Sequence, residues 1–460
     1  MFALVDANNM YVSCERVFQP RLQGKPVVVL SSNDGACIAR SNEAKDLGIK
    51  MAQPWFQVRH LERSAGLIAV SANFELYADM SSRMMSVASR FAPEQEIYSI
   101  DESFLGCAGL GKDLEQMGRR LRATVLRETG LPTSVGFGPT KTLAKLANHI
   151  GKSADRKPGS FPAKVAQVCD LGKLSDSERE AVFKACDVGD VWGVGRKLAP
   201  KLRAHGIHSA WDLSKANPAL VRRQFSVVLE KTVLELQGVS CLDLTDVGSE
   251  PKASQQILVS RSFGRPISSL EGIVEAVSEF TARAAEKLRH QSSEASTLCV
   301  FFRTSAFRQN DAQHEACVTL PLGKATSDTR VLLRAAAAAV EENFRPGYRY
   351  AKAGALLLNL APAGTSEAQL ELFPGKAPPS PSAAPAQEER DAPQTAGGKN
   401  REQLMATLDA LNRKFGRDAV HMGSTSVASQ GAEIKLWATK LERRTPRYTT
   451  RWDELPVAKA

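Results

Sequence analysis

A chain of 460 residues is too long for one ordinary core, so two to four domains are expected, and 43% hydrophobic residues suffice to build them. The formal charge of +10 points to a polyanionic partner. Eight cysteines scattered singly, with no C-x-x-C and no histidine pair at zinc spacing, argue against a disulfide framework or a zinc finger.

No run reaches the ~20 apolar residues of a membrane helix, and "MFALVDANNMYVSCERVF" lacks the basic and apolar regions of a secretion signal. A reducing cytoplasm is the expected compartment. In chain order, "FALVD" and "KPVVVLSS" predict buried strands, and "SNEAKDLGI" predicts a helix closed by Gly48. In "EIYSIDESFLGCAG" an apolar run is broken by Asp101 and Glu102. Neighbouring residues of a strand face opposite ways, so the two acids can share a site only at a bend between two strands.

The segment "TKTLAKLANHIGK" predicts a helix with Leu143, Leu146, Ala147 and Ile150 on one stripe and Lys141, Lys145, His149 and Lys152 on another. A lysine stripe is ordinarily a solvated face. From about 170 to 240 the pattern is helical. Within it, residues 191–240 hold eight Lys or Arg against three Asp or Glu, an excess of five (8 − 3). "WGVGRKLAPKL" there has the form of a helix-hairpin-helix, in which Gly193 and Gly195 let backbone approach a phosphate beside Arg196 and Lys197. Such binding is sequence-independent and salt-sensitive.

Residues 251–360 alternate as β-α-β-β-α-β, a compact ferredoxin-like unit whose strand residues Arg261 and Arg303 are further phosphate candidates. Beyond 360 the composition turns to Pro, Ala, Ser and Gly, as in a flexible tether, and 401–460 regains periodicity in "LMATLDALNRKFG" before the basic "KLERRTPRYTTRW".

Asp6 ends the first strand. Beside the 96–105 hairpin it would bring three carboxylates together, and three hard oxygen donors suit Mg²⁺. Two ions about 4 Å apart could activate a hydroxyl and steady a leaving pyrophosphate. Nucleases and cyclases share that logic. Tyr11, five residues after Asp6, is near enough to lie under a nucleotide sugar, where a rigid ring would reject a 2′-hydroxyl.

At this point the chain resembles the Y-family translesion DNA polymerases, and within them the UmuC-type catalytic subunits of DNA polymerase V. The resemblance rests on "FALVDANNMYVSCE", "KPVVVLSSNDGACIARSNEAKDLGIKM", "NFELYADMSSRMM", "EIYSIDESF", "SVGFGPTKTLAKLANHIGK", "DVWGVGRKLAPKL" and "SRSFGRPI", in family order over residues 1 to about 360. It implies a right-hand polymerase of α/β and α+β domains. The palm would be 1–20 and 75–165, the fingers 21–74, a thumb with helix-hairpin-helix 166–245 and a little finger 251–360. A linker at 361–400 and a partner-binding segment at 401–460 would follow.

The same resemblance implies that Asp6, Asp101 and Glu102 bind two Mg²⁺ ions, that Tyr11 is the steric gate, and that Lys152 binds the triphosphate. Where related enzymes place a Tyr and an Arg in the fingers, this chain has Asn42 and Lys45; Lys45 offers a point charge without the fork of Arg. Met10 and Ser103 depart from the family's Phe and Ala. Gln369, Leu370, Leu372 and Phe373 of "QLELF" are similar to the clamp-binding peptide of bacterial polymerases. The implied partners are primer and template DNA, deoxynucleoside triphosphates, a processed UmuD-type dimer, RecA and the β sliding clamp, and the implied setting is the nucleoid during the SOS DNA-damage response. Two readings compete with translesion synthesis: another two-metal enzyme, which has no use for Tyr11, and a non-catalytic DNA-binding scaffold, which has no use for the acids.

Overall fold

The structure, a computed structural model, describes all residues except 112, 245–252, 309, 365–393, 417–418, 424–436 and 456–460, with backbone only for 394–402. The clamp-type peptide at 369–373 therefore lies outside the described residues. Residues 1–250 and 441–460 form one compact unit, and residues 251–440 form another.

Among the described residues the first unit holds eight strands: β1 (Phe2–Ala7), β2 (Val27–Leu30), β3 (Cys37–Arg40), β4 (Ile68–Ser71), β5 (Glu94–Ile97), β6 (Glu102–Gly106), β7 (Thr133–Gly138) and β8 (Val168–Asp170). Five make one sheet in the order β5-β6-β1-β7-β8, and a smaller sheet runs β3-β2-β4. As the central strand, β1 is covered on both faces, which explains its uninterrupted apolar run. Ala3, Val5 and Ala7 face the main core. Leu4 packs on the other side with Phe104 and Ala144, and Asp6 follows on that side by alternation.

The helix Lys141–Arg156 lies on this second face. It is seated closely because β7 reads "TSVGFG": a Cβ added to Gly136 would come within 2.2 Å of the Asn148 nitrogen and 2.4 Å of the Ala144 oxygen. Thr140 caps the helix by accepting from the Leu143 N–H. The buried Glu235 adds a second cap, accepting from the Thr142 N–H at 3.0 Å, and so ties the helix to the helical segment 176–236.

Two local expectations shift. The strand before the acidic pair is β5, Glu94–Ile97, so Tyr98–Asp101 is the turn itself, closed by Tyr98 and Ser99 N–H groups donating to the Glu102 carbonyl. The lysine stripe is also not a solvated face, since Lys141 is only 4% exposed and each stripe residue points at a carboxylate. Sequence periodicity separates the two stripes but says nothing of the strands that oppose them.

The second unit carries β9 (Ile257–Ile267), β10 (Ser293–Thr304), β11 (Glu315–Thr326) and β12 (Tyr350–Pro362), with helices Leu270–His290 and Thr329–Asn343. The sheet order is β11-β10-β12-β9, all neighbours antiparallel, so each helical crossover passes over one intervening strand. Register puts Arg261 opposite Ala353, which pairs in turn with Phe302, so Arg261 lies on the buried, helix-covered face. Arg303 pairs with Lys352 in the next row and faces the other way. The two arginines cannot serve one groove. Lys352, unremarked in the sequence, shares the open face with Arg303.

The C-terminal segment packs on its own chain. Met405 is buried, Asp409 forms a two-pronged pair with Arg289 at 2.7 Å in both contacts, and the Trp437 indole donates to Glu279. Residues 443–448 pack on the first unit, where the Tyr448 ring stacks on Phe18 at 4.7 Å.

Candidate active site

Antiparallel pairing sets Asp6 directly opposite Glu102, and the Ala7 N–H donates to the Asp101 carbonyl at 2.9 Å. The hairpin turn thus delivers all three acids to one sheet edge. Each is engaged locally. Asp6 Oδ1 meets Lys152 Nζ at 2.5 Å, Glu102 Oε2 meets Lys145 Nζ at 2.7 Å, and Asp101 Oδ1 accepts from Ser99 at 2.6 Å. Among the described residues, no three His, Cys, Asp or Glu side chains stand close enough to share an ion in this arrangement.

The donor set nevertheless fits a hard divalent cation. Burial pushes the Asp6 carboxyl up to about 7 against the pull of Lys152, and the neighbouring Glu102 and Asp101 add to the rise. An ion here would relieve a carboxylate that the protein solvates poorly. Lysines 145 and 152 now supply that compensation to Glu102 and Asp6. Lys145 is further held over the rings of Tyr98, at 4.6 Å, and Trp192, at 5.2 Å.

A cleft of about 320 Å³ opens beside Asp6 and Asp101. Tyr11 and Met10 line it, as do Arg40, Lys45 and Lys152. The half-buried Tyr11 stacks on Tyr77 with ring centroids 4.5 Å apart and meets the edge of Phe74 at 5.9 Å. Two packed aromatics leave its ring little freedom.

Arg40 is the residue that sequence reasoning passed over. It closes β3, donates to the Ile49 carbonyl at 2.8 Å and keeps its buried Nε without a hydrogen-bond partner. Its only sequence signal is an arginine ending an apolar strand just before the Ser41 helix cap. Burial, then the charges of Arg156, Arg40 and Lys152, hold the Lys45 ammonium down at about 8. Such mutual repulsion among cations in one cleft is relieved by a bound polyanion. Asn42 does not line the cleft; its side-chain oxygen accepts from Asn9, which in turn accepts from Lys45 at 2.6 Å. Met10 is buried, and buried Ser103 donates to the Glu96 carbonyl.

Of the helix-hairpin-helix residues, Gly193 has φ +92°, where a side chain would be strained, while Gly195 faces open space. Both are exposed, as are Arg196 and Lys197. They stand together at the turn before helix Leu198–Ala204.

Three family models match the chain: the impB/mucB/samB family over residues 5–149, its C-terminal domain over 254–372, and a domain of unknown function, DUF4113, over 402–458. Protein UmuC of Salmonella typhimurium is 41% identical over 99% of both chains, and Protein ImpB of the same species is 40% identical over all of both. DNA polymerase IV of Corynebacterium diphtheriae is 28% identical over 71% of this chain and 68% of its own. Among solved structures, a Y-family DNA polymerase chimera, Dbh-Dpo4(243-245)-Dbh, matches with TM-score 0.58 at 19% identity, over 79% of this chain and all of that one, a likeness of fold. The chain belongs to the impB/mucB/samB family of Y-family DNA polymerases.

Proposed function

We propose that this chain extends DNA primers across damaged templates, and that the cleft beside Asp6 and Asp101 is where the deoxynucleoside triphosphate reacts. The observation that carries the reading is the company of groups in one cleft: the carboxylates Asp6 and Asp101, the Tyr11 ring, and the cations Arg40, Lys45 and Lys152, the last paired with Asp6 at 2.5 Å. A deoxynucleoside triphosphate presents the matching groups: a sugar for the ring, the reacting phosphate next to it for the carboxylates and their ions, and the two outer phosphates for the cations.

Asp6, Asp101 and Glu102 would hold two Mg²⁺ ions, which supply charge neutralisation at the attacking hydroxyl and the leaving pyrophosphate. The chain's own groups do the rest. Lys152 exchanges Asp6 for a phosphate oxygen, and Lys145 releases Glu102 toward the aromatic faces that already hold it. Lys45 and Arg40 neutralise the outer phosphates. The Tyr11 ring rejects a 2′-hydroxyl by contact, not by charge.

Gly193, Gly195, Arg196 and Lys197 hold duplex phosphates, with Arg303 and Lys352 on an open sheet face as a second, salt-sensitive contact. Membership of this family and the similarity to UmuC and ImpB support a place in the SOS response, with a processed UmuD-type dimer, RecA and the β sliding clamp as partners, the clamp through Gln369–Phe373. No helix among the described residues is long and apolar enough to cross a membrane, and action at the nucleoid follows from the substrate.

The test is primer extension past a template abasic site with Mg²⁺, comparing the full chain with Asp101→Asn, with and without the UmuD-type dimer and a RecA filament. A loss of at least ~10³-fold in the variant, about 4 kcal/mol of barrier, is expected. Equal extension by both proteins would make the activity a contaminant, and none from either, partners included, would favour the scaffold.

A further inference from the structure

The Tyr11 ring is supported by groups that its role as a sugar gate does not by itself require. Tyr11 and Glu15 lie one turn apart on the helix Met10–Phe18, and Tyr77 spans them: its ring stacks on Tyr11 while its hydroxyl donates to Glu15 Oε1 at 2.7 Å. Glu15 is 0% exposed, and no basic side chain pairs with it among the described residues. Its same oxygen accepts a second hydrogen bond, 3.1 Å long, from the hydroxyl of Thr445, more than 400 residues away.

Thr445 acts on a second point of the same assembly. Asn73 caps the helix Phe74–Ala88, accepting from the Leu76 N–H through its side-chain oxygen. Its amide donates to Thr445 Oγ1 at 3.1 Å and to the Pro446 carbonyl at 2.9 Å. Phe74 and Tyr77, the two rings that touch Tyr11, are on the first turn of that helix. One threonine therefore touches both the carboxylate that anchors the Tyr77 hydroxyl and the cap of the helix that carries both rings.

We propose that Thr445 is a positioning residue for sugar selection, fixing Tyr77 through Glu15 and Asn73 and so holding the Tyr11 ring against the nucleotide; this rests on the reading of Tyr11 as the gate. The C-terminal stretch 443–448 is then a strap on nucleotide specificity. A buried carboxylate with only neutral donors is sensitive to the loss of any of them. Without Thr445, Glu15 must draw in water or another donor, and Tyr77 moves with it.

The experiment measures insertion of dCTP and of CTP opposite a template dG by the full chain, as kcat/KM, together with melting temperature. Thr445→Val is expected to lower the preference for deoxyribonucleotide by roughly three- to tenfold, Thr445→Ser to restore it, and Tyr77→Phe to reproduce the loss. Arg443→Ala removes an ion pair with Glu62 on the same strap, so it is expected to lower the melting temperature and leave the preference unchanged. Tyr11→Ala is the control: if it leaves the preference intact, the gate reading fails and the inference with it. If Tyr11→Ala abolishes the preference while Thr445→Val and Tyr77→Phe slow both nucleotides equally, the gate stands and the strap role is wrong. Should Thr445→Val not fold, Tyr77→Phe decides between the same two outcomes.

Discussion

Beside the β5-β6-β1-β7-β8 sheet the Lys141 and Asp6 side chains are 5% and 13% exposed, whereas on the β9–β12 sheet the Arg303 and Glu315 side chains keep 49% and 62% of their surface in water at 3.6 Å separation. Both regions carry paired charge at a sheet, but the pairs do different physical jobs. Exposed pairs contribute little to stability and leave the basic partner free to exchange its carboxylate for a phosphate. Buried ones cost desolvation and are retained only where geometry makes them useful. The first sheet concentrates that cost on β5, β6 and β1, where the helix Lys141–Arg156 presents lysines 141, 145 and 152 to Glu96, Glu102 and Asp6.

The closeness of that helix to β7 is the first thing to break. Gly136→Ala puts a methyl group 2.2 Å from backbone, and a loss of about 3 kcal/mol or more is expected by chemical denaturation, with activity falling in step. The corresponding change at Gly195, where an added Cβ meets nothing, is expected to stay within about 1 kcal/mol. Equal costs would mean that the helix is not seated as described.

Next comes the cost of Asp6 itself. Its carboxyl is raised from 3.8 to about 7, so between those values the folded chain binds more protons than the unfolded one. Stability therefore falls as pH rises across that window, and the deficit is complete above it. In metal-free buffer Asp6→Asn is expected to exceed wild type by roughly 2–4 kcal/mol at pH 8, a gap that closes toward pH 4. A variant less stable than wild type at pH 8 would show that Lys152 more than offsets the burial.

What the sequence made legible was whatever local pattern dictates. β1 is a run of apolar residues ending in Asp6, the acid pair needs a bend, and the spacing of "TKTLAKLANHIGK" separates buried leucines from lysines. The burial of Lys141, by contrast, depends on β5 and on the Asp243 carbonyl that also accepts from it, partners 45 and 102 residues distant. The opposed faces of Arg261 and Arg303 follow from pairing register, which neither strand carries alone. Least legible was "KLERRTPRYTTRW", a basic string without periodicity, because Thr445 and Tyr448 in it are buried by partners far off in the sequence, Glu15, Asn73 and Phe18. Composition reports a charge; topology decides whether it is solvated.

The cation cluster in the cleft stands between the two regimes: Lys152 is paired with Asp6, while Lys45 donates to the neutral Asn9. Because Lys45 is held down at about 8, its charge is lost as pH rises through that value and regained when a triphosphate binds. The KM for deoxynucleotide is expected to rise by up to about tenfold between pH 7 and 9, and Lys45→Arg to flatten that rise. A profile that keeps its slope in the variant would assign the proton elsewhere.

The exposed sheet offers the smallest effect and the clearest contrast. Arg303 gives up only a long, solvated pair with Glu315 when it meets a phosphate, so Arg303→Ala is expected to leave folding stability within about 0.5 kcal/mol. Its signature is in salt dependence. Neutralising one phosphate releases about one counterion, so the slope of log affinity for primer–template DNA against log salt concentration should fall by about 1, with single-nucleotide kcat unchanged. Arg261→Ala, on the helix-covered face, is expected to leave that slope alone while affecting the packing around Ala353. If the two substitutions changed the salt slope equally, the register that separates them would be the wrong guide to where DNA lies.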